Sequence, residues 1–149
     1  MKRVRLFLML IAIFILSFMP GCSSSRSMKD GYYTAEMSEY SHGWKEYFCI
    51  QVKRGKIVSA EFNAKNKSGF IKAWDNTYMK NMMSKQGTYP NKYTRDYVQQ
   101  IIEGQGEKTI DAVSGASHSG GNFVKLSEAA IERAVEGNTE TVIVETEEE

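Results

Sequence analysis

Residues 111–121 combine hydroxyl side chains with very small neighbours, and no other part of the chain is as well suited to chemistry. The segment reads Asp-Ala-Val-Ser-Gly-Ala-Ser-His-Ser-Gly-Gly, and an amphipathic helix is expected to follow it. Because few side chains obstruct such a segment, unpaired backbone N–H groups converge there with the positive end of the helix dipole. That arrangement suits an anion such as phosphate. Neither a Walker loop nor a G-x-G-x-x-G dinucleotide fingerprint is present.

The hydroxyls of Ser117 and Ser119 raise the alternative of a serine hydrolase. No G-x-S-x-G elbow surrounds either serine, and the histidines of the chain are His42 and His118. His118 follows Ser117 directly, which is poor geometry for a general base acting on that hydroxyl. A hydrolase is therefore disfavoured.

The elements that must position this segment predict a small α+β domain over residues 30–138, with about three helices packed on an antiparallel sheet. The Arg54-Gly55 dipeptide lies between two alternating runs and predicts a β-hairpin. Strands are expected at residues 32–36, 44–53, 56–63, 108–113 and 141–144. Helices are expected from residue 70 to about 85, around residues 93–102, and at 123–135.

The amino-terminal 21 residues have the layout of a secretory signal: a basic head, an apolar run from Leu6 to Met19, and a break. The break, Met19-Pro20-Gly21-Cys22, resembles a lipobox. That resemblance implies cleavage before Cys22 and acylation of its sulfur and new amino terminus, which give lasting membrane attachment. The alternative is an uncleaved anchor helix. Both hypotheses place the domain outside the cytoplasm at a cell membrane or outer membrane, on a flexible tether of residues 22–29.

Composition excludes several classes of protein. The formal charge is +1, and removal of residues 1–21 takes away three of the 19 basic residues, which leaves sixteen against 18 acidic ones, or −2. A nearly neutral domain has no basic footprint for nucleic acid. With Cys22 acylated, Cys49 has no intramolecular partner for a disulfide, and we expect it to be a buried, inert thiol without metal ligands nearby. We expect residues 139–149 to be an acidic tail, solvated from Glu145 to Glu149.

The motif Asp111-x-x-Ser114-Gly115-Ala116-Ser117 resembles the flavinylation motif D-x-x-(S/T)-G-A-(T/S) of FMN-binding domains. These domains occur in sodium-pumping quinone reductases, in Rnf complexes and in small electron-transfer lipoproteins. The resemblance extends more generally over residues 30–137. It implies that a flavin transferase uses FAD to attach FMN to Ser117 as a phosphoester, where the family more often has threonine. The cofactor-binding residues that it implies are Ser117, Ala116, Gly115, Ser114, Asp111 and His118.

The motif positions have separate physical purposes. Gly115 and Ala116 keep bulk away from the hydroxyl and from the phosphate. Asp111 either holds the loop through side-chain-to-backbone hydrogen bonds or binds metal during the transfer. His118 either stabilises the phosphate or is a surface residue. Flavin rings favour apolar walls. The candidates for such a wall are Trp44, Trp74, Tyr78 and Met82, although aromatic residues at helical spacing more often belong to the core.

The resemblance implies a membrane-tethered flavoprotein that relays electrons at the cell envelope, or one subunit of a reductase, rather than a self-contained enzyme. Its implied partners are FMN, the flavin transferase that modifies it, and redox proteins or quinone-linked donors. The alternative is a non-redox surface-binding or interaction lipoprotein whose flavin site has degenerated. Serine at position 117 and the lack of a second flavin domain favour that alternative.

Overall fold

The computed structural model describes residues 27–146, so the predicted signal segment, the predicted lipidation site Cys22 and residues 147–149 lie outside the described range. Within that range the chain is α+β, as expected. The strands are β1 (Gly31–Met37), β2 (Lys45–Lys53), β3 (Lys56–Lys65) and β4 (Val142–Val144). The helices are α1 (Asn76–Gln86), α2 (Pro90–Gly104) and α3 (Ser117–Glu136), and a short 3-10 helix (Lys72–Trp74) precedes α1.

The strands form one mixed sheet in the order β3-β2-β1-β4. The predicted hairpin of β2 and β3 is confirmed, and its turn residues Arg54 and Gly55 have positive φ values of 54° and 71°. Two such residues make a type I′ turn, whose twist matches that of the strands. The expectation of a purely antiparallel sheet is wrong at β4, which pairs parallel to β1. A tight hairpin turn between two strands forces them to pair antiparallel. No such turn joins β1 and β4, because α3 and other elements lie between them, so parallel pairing is allowed.

The core lies between the sheet and the two long helices, which pack on the same face. α2 lies against β3, and α3 lies against β1 and β2. Aromatic rings fill the centre: Tyr97 stacks on Phe123 with 5.0 Å between ring centroids, and Phe62 meets Phe123 edge-on at 4.9 Å. Each such pair adds about 0.5–1.5 kcal/mol to the burial of its rings. Met28 and Val144 also pack into this core, so the expected domain bounds of 30 and 138 are too narrow at both ends. Residues 28 and 144 belong to the domain and not to the expected tether (22–29) and tail (139–149).

Two helices differ from their expected ranges. The helix expected from residue 70 to 85 is divided at Asp75, whose backbone is extended and whose carboxylate accepts a hydrogen bond from the Tyr78 N–H at 2.9 Å. Asp75 is therefore the N-cap of α1. α3 begins at Ser117, well before the expected start at Phe123. The glycines of its first turns disfavour helix locally, but most helical stability in proteins comes from packing of the apolar face.

The strand expected at residues 108–113 is wrong, because this segment is irregular. Its main chain bonds to side chains of α2 instead of to a neighbouring strand. Gln100 donates to the carbonyl oxygen of Asp111 at 3.2 Å and accepts from the Asp111 N–H at 2.7 Å. The motif therefore lies between an irregular loop and a helix, and not between a strand and a helix.

Tyr97 connects the core to the loop before α3. Its side chain is fully buried, and its Oη accepts a hydrogen bond from the Val113 N–H at 3.0 Å. The hydroxyl also lies 3.5 Å from the carbonyl oxygen of Ala116. This position requires space beside α3, since a Cβ at Gly120 would overlap Tyr97 Oη. Glycine in a helix costs about 0.5–1 kcal/mol relative to alanine, so close packing explains Gly120.

We expect Gly120→Ala to lower the free energy of unfolding by about 1–3 kcal/mol, because overpacking outweighs the gain in helix propensity. Tyr97→Phe should cost about 1–2 kcal/mol, since the Val113 N–H loses its partner. The double variant lacks the overlap between the added Cβ and Tyr97 Oη, so its loss of stability should be smaller than the sum of the two single losses. Urea denaturation of the wild type, the two single variants and the double variant measures these free energies of unfolding. Gly121→Ala is the matched control, because a Cβ there meets open space; strictly additive losses would contradict the assignment.

Candidate functional site

A tight turn at Ser114 and Gly115 leads from the loop into α3. The Ala116 N–H donates to the carbonyl oxygen of Val113 at 3.0 Å. Gly115 has a φ of 77°, and a Cβ on it would overlap the carbonyl oxygen of Gln86 at the end of α1. Glycine is required here both for the positive φ and for the close approach. The same contact places the end of α1 against the start of α3.

Ser117 and His118 are the first residues of α3, and both side chains are exposed. Ala116 occupies the N-cap and supplies no side-chain capping hydrogen bond. The first N–H groups of a helix have no partner within the helix, and they carry the positive end of its dipole. The Ser117 hydroxyl therefore lies at a helix terminus whose main-chain donors suit a phosphate group.

A buried carboxylate fastens this first turn to the sheet. Glu46 of β2 is only 7% exposed, and its Oε1 accepts a hydrogen bond from Ser119 Oγ at 2.6 Å. Its Oε2 accepts from Asn122 Nδ2 at 2.7 Å. Both oxygens of Glu46 are thus satisfied, as a buried charge requires. The Ser119 hydroxyl is used structurally and is buried, whereas Ser117 is accessible.

A cavity of about 450 Å³ adjoins the start of α3. Its walls come from β1 and β2, from the loop between them, from the 3-10 helix, and from all three α-helices. Its volume lies within the range of about 300–1,000 Å³ that is usual for small-molecule sites. The cavity is therefore large enough for a small molecule.

The structure brings some of the predicted site residues to this cavity. Gly115, Ala116, Ser117 and His118 line it. Ser114 lies in the exposed turn outside the lining. Asp111 is also exposed and outside the lining, and the hydrogen bonds that fix it to Gln100 come from its main chain and not from the carboxylate expected to hold the loop.

Three of the four candidate wall residues line the cavity. Trp44 and Tyr78 meet edge to face with 6.0 Å between ring centroids, and Met82 lies one helical turn beyond Tyr78 on α1. Trp74 does not line the cavity and is 67% exposed. The cavity therefore has an aromatic wall formed by the β1–β2 loop and α1.

Several cavity residues were missed in the sequence. Glu46 carried a signal, because it is a charged residue at an inward position of an alternating strand, between Trp44 and Phe48. Lys72 and Tyr93 carried none, since a lysine near a helix start and a tyrosine on an apolar stripe are ordinary surface and core features. Lys72 and Tyr93 reach the cavity only because the 3-10 helix and α2 pack next to each other in the folded chain.

Two tyrosines and the Glu46 carboxylate set the charge state of Lys72. Burial by itself lowers the pKa of this ammonium, but its interactions with Tyr93, Tyr78 and Glu46 outweigh the burial and hold the pKa above its ordinary value. Burial has the opposite effect on the Tyr93 hydroxyl and raises its pKa, and the nearby Lys72 opposes this increase only in part. At neutral pH, Lys72 is therefore cationic and Tyr93 is a neutral hydroxyl.

Other candidate groups in the described range lie apart from this cavity or do not form a cluster. Cys49 is a free thiol, half-buried rather than buried as expected, on the strand positions that alternate with the core face of β2. In residues 27–146 no group of three or more His, Cys, Asp or Glu side chains is placed to hold a metal ion. None of the helices in that range has the length and apolar character needed to cross a bilayer.

We expect Glu46→Ala to lower the free energy of unfolding by about 2–4 kcal/mol, because Ser119 and Asn122 lose their acceptor and Lys72 loses a compensating charge. Urea denaturation measures the change. Glu128→Ala is the matched control, since Glu128 is an exposed residue of the same helix α3 and such substitutions stay within about 0.5 kcal/mol. Equal losses in the two variants would contradict the structural role of Glu46.

Comparison with known proteins identifies relatives of the chain, while no protein-family profile matches it. The 15 kDa lipoprotein of Treponema pallidum (strain Nichols) is 28% identical over 129 residues, which cover 86% of this chain and 92% of that protein. The crystal structure of the CPE2226 protein from Clostridium perfringens has a TM-score of 0.76 and 35% identity, and the match covers 80% of this chain and 99% of that one. The chain therefore belongs to the same protein family as CPE2226 of Clostridium perfringens.

Proposed function

We propose that this protein is an exported lipoprotein that carries FMN on Ser117 and relays electrons at the cell envelope. The observation that carries the proposal is the placement of the motif. Ser117 is an exposed hydroxyl at the amino terminus of α3, and it borders the cavity of about 450 Å³. The motif resemblance and this geometry were obtained from different observations, and they point to the same residue.

The residues at this terminus fit a phosphoester of FMN. Ser117 Oγ would attack the flavin-side phosphorus of FAD, so that a new P–O bond forms while the bond to the adenylate oxygen breaks and AMP leaves. The hydroxyl proton passes to solvent, and a flavin transferase catalyses the exchange. Gly115 and Ala116 leave room for the phosphate, and the N–H groups of the first turn compensate its charge. A threonine has the same oxygen, so serine at this position meets the chemical requirement.

The aromatic wall of the cavity fits the ring system. Trp44, Tyr78 and Met82 offer apolar surface to a planar ligand, and such walls restrict the access of water. When bound, FMN supplies the one- or two-electron redox chemistry, and the protein holds it and sets its electrostatic surroundings. Lys72, Glu46 and Tyr93 provide the polar groups of that surrounding.

Attachment to a membrane is the second part of the proposal. The lipobox-like sequence ends in Cys22, which lies outside the described residues. The relative from Treponema pallidum is named a lipoprotein and matches 86% of this chain. Two or more acyl chains on Cys22 would hold the domain durably at the membrane surface. An electron carrier fixed there would meet quinone-linked donors and external acceptors.

We expect the full chain, produced together with a flavin transferase, to gain the mass of one FMN less one water, and Ser117→Ala to gain none. Ser117→Thr is the matched control: it retains a hydroxyl at the same site and should gain the same mass. Intact-mass spectrometry and visible absorbance after denaturation measure the attachment. FMN that survives denaturation on Ser117→Ala would overturn the choice of acceptor. A colourless wild-type chain of unmodified mass would favour the non-redox lipoprotein instead.

The lipid part is tested separately at Cys22. In a bacterial host we expect mass spectrometry of the amino-terminal peptide to show a chain that starts at Cys22 and carries acyl groups. Cys22→Ser should lack the acyl groups, whereas Cys49→Ser should keep them, because Cys49 lies within β2. A wild-type chain that retains residues 1–21 would instead support the uncleaved anchor helix.

A further inference from the structure

Lys72 is a buried cation in the wall of the cavity. It begins the short 3-10 helix, is only 9% exposed, and lines the cavity together with Ser117. Of the described residues in that lining, it is the one lysine or arginine. Lysine side chains are almost never buried unless other groups compensate the charge. The position of Lys72 therefore needs a physical explanation.

Among the described residues, Lys72 is compensated by the neighbouring tyrosines and by a carboxylate that other side chains share, and not by an ion pair of its own. Lys72 Nζ lies 4.9 Å from the centre of the Tyr78 ring, a cation–π contact. Glu46 attracts the ammonium, but its two oxygens accept hydrogen bonds from Ser119 and Asn122. Lys72 takes part in none of the three ion pairs formed among Glu36, Lys65, Lys92, Asp96, Arg133 and Glu136 in the described range. The ammonium therefore keeps the capacity to interact with a further negative group in the cavity.

The charge lies at the aromatic wall. Tyr78, which Lys72 contacts, is also the edge-to-face partner of Trp44. A planar ligand against this wall would lie close to the ammonium, where the low local dielectric strengthens the interaction between charges. His42 and His118 also line the cavity, but both are exposed and have ordinary access to solvent. Lys72 is therefore the cavity residue best placed to favour negative charge on a ligand.

We propose that Lys72 raises the reduction potential of FMN held on Ser117, because its ammonium stabilises the ring system more after reduction than before. The inference rests on the proposed function. Two-electron reduction with uptake of one proton from solvent leaves the ring with one net negative charge, whereas the oxidised ring is neutral. The electrons come from a low-potential donor, which is dithionite in the measurement below. Charge near the ring nitrogens is a recognised means by which proteins tune a flavin.

The test uses the full FMN-loaded chain and measures its midpoint potential at neutral pH by dithionite titration against a redox dye. We expect Lys72→Met to weaken the preference of the protein for reduced over oxidised FMN about tenfold. This change lowers the midpoint potential by about 30 mV for a two-electron couple. Lys72→Arg should keep most of the wild-type potential. Lys80→Met, which removes an exposed lysine of α1 outside the cavity lining, should leave it unchanged.

A second variant tests the same electrostatics with the opposite sign. Glu46→Gln removes a negative charge from the cavity and should raise the potential, so the inference stays testable even where Lys72→Met fails to fold. The inference would be overturned if Lys72→Met or Glu46→Gln had the same midpoint potential as wild type while its mass and colour showed that FMN is in place. That result would leave the proposed function intact. Wild-type protein without the FMN mass increment would overturn both.

Discussion

The hydrogen bond between the Tyr97 hydroxyl and the Val113 N–H is the constraint on which the site depends. Tyr97 belongs to the aromatic centre of the core, where it stacks on Phe123 of α3. Its hydroxyl therefore ties the irregular loop to the same ring contact that fixes α3 on the sheet. Gly120 leaves the space for this hydroxyl. Tyr97 thus connects the core directly to the loop before α3, which Gln100 of the same helix also holds.

A second fixed point comes from the sheet. Glu46 binds Ser119 and Asn122 on one side of α3, while Tyr97 holds the preceding loop from α2. Burying Glu46 and Lys72 is expensive, and apolar residues of similar size in their places would often give equal or greater stability. Stability alone therefore does not account for these charges. Under the proposed function, their position in the cavity wall accounts for them as the electrostatic surroundings of the flavin.

The parts of the fold that the sequence predicts are those set by local chemistry. Arg54 and Gly55 specify the hairpin turn, and apolar periodicity specifies α2. The failures have non-local causes. The loop before α3 looked like a strand because its residues are compatible with one, yet its partner is the Gln100 side chain. In the site, Ser117 was found from the motif, and Glu46 left a trace as an inward-facing charge. Lys72 carried no such signal, because its burial depends on the packing of the 3-10 helix against β3, α1 and α2.

The two serines of the first turn of α3 carry the same hydroxyl group, but the fold places them in different surroundings. Successive residues of an α-helix are rotated by about 100°, so Ser117 and Ser119 differ by about 200° around the axis of α3. The hydrogen bond to Glu46 directs Ser119 toward the sheet, and the same rotation turns Ser117 toward solvent. A shift of α3 by one residue relative to the sheet would place His118 or Gly120, and not Ser119, opposite Glu46. The turn at Gly115 and the bond to Glu46 therefore decide which of the two hydroxyls is accessible from solvent, and the reactivity of serine itself does not.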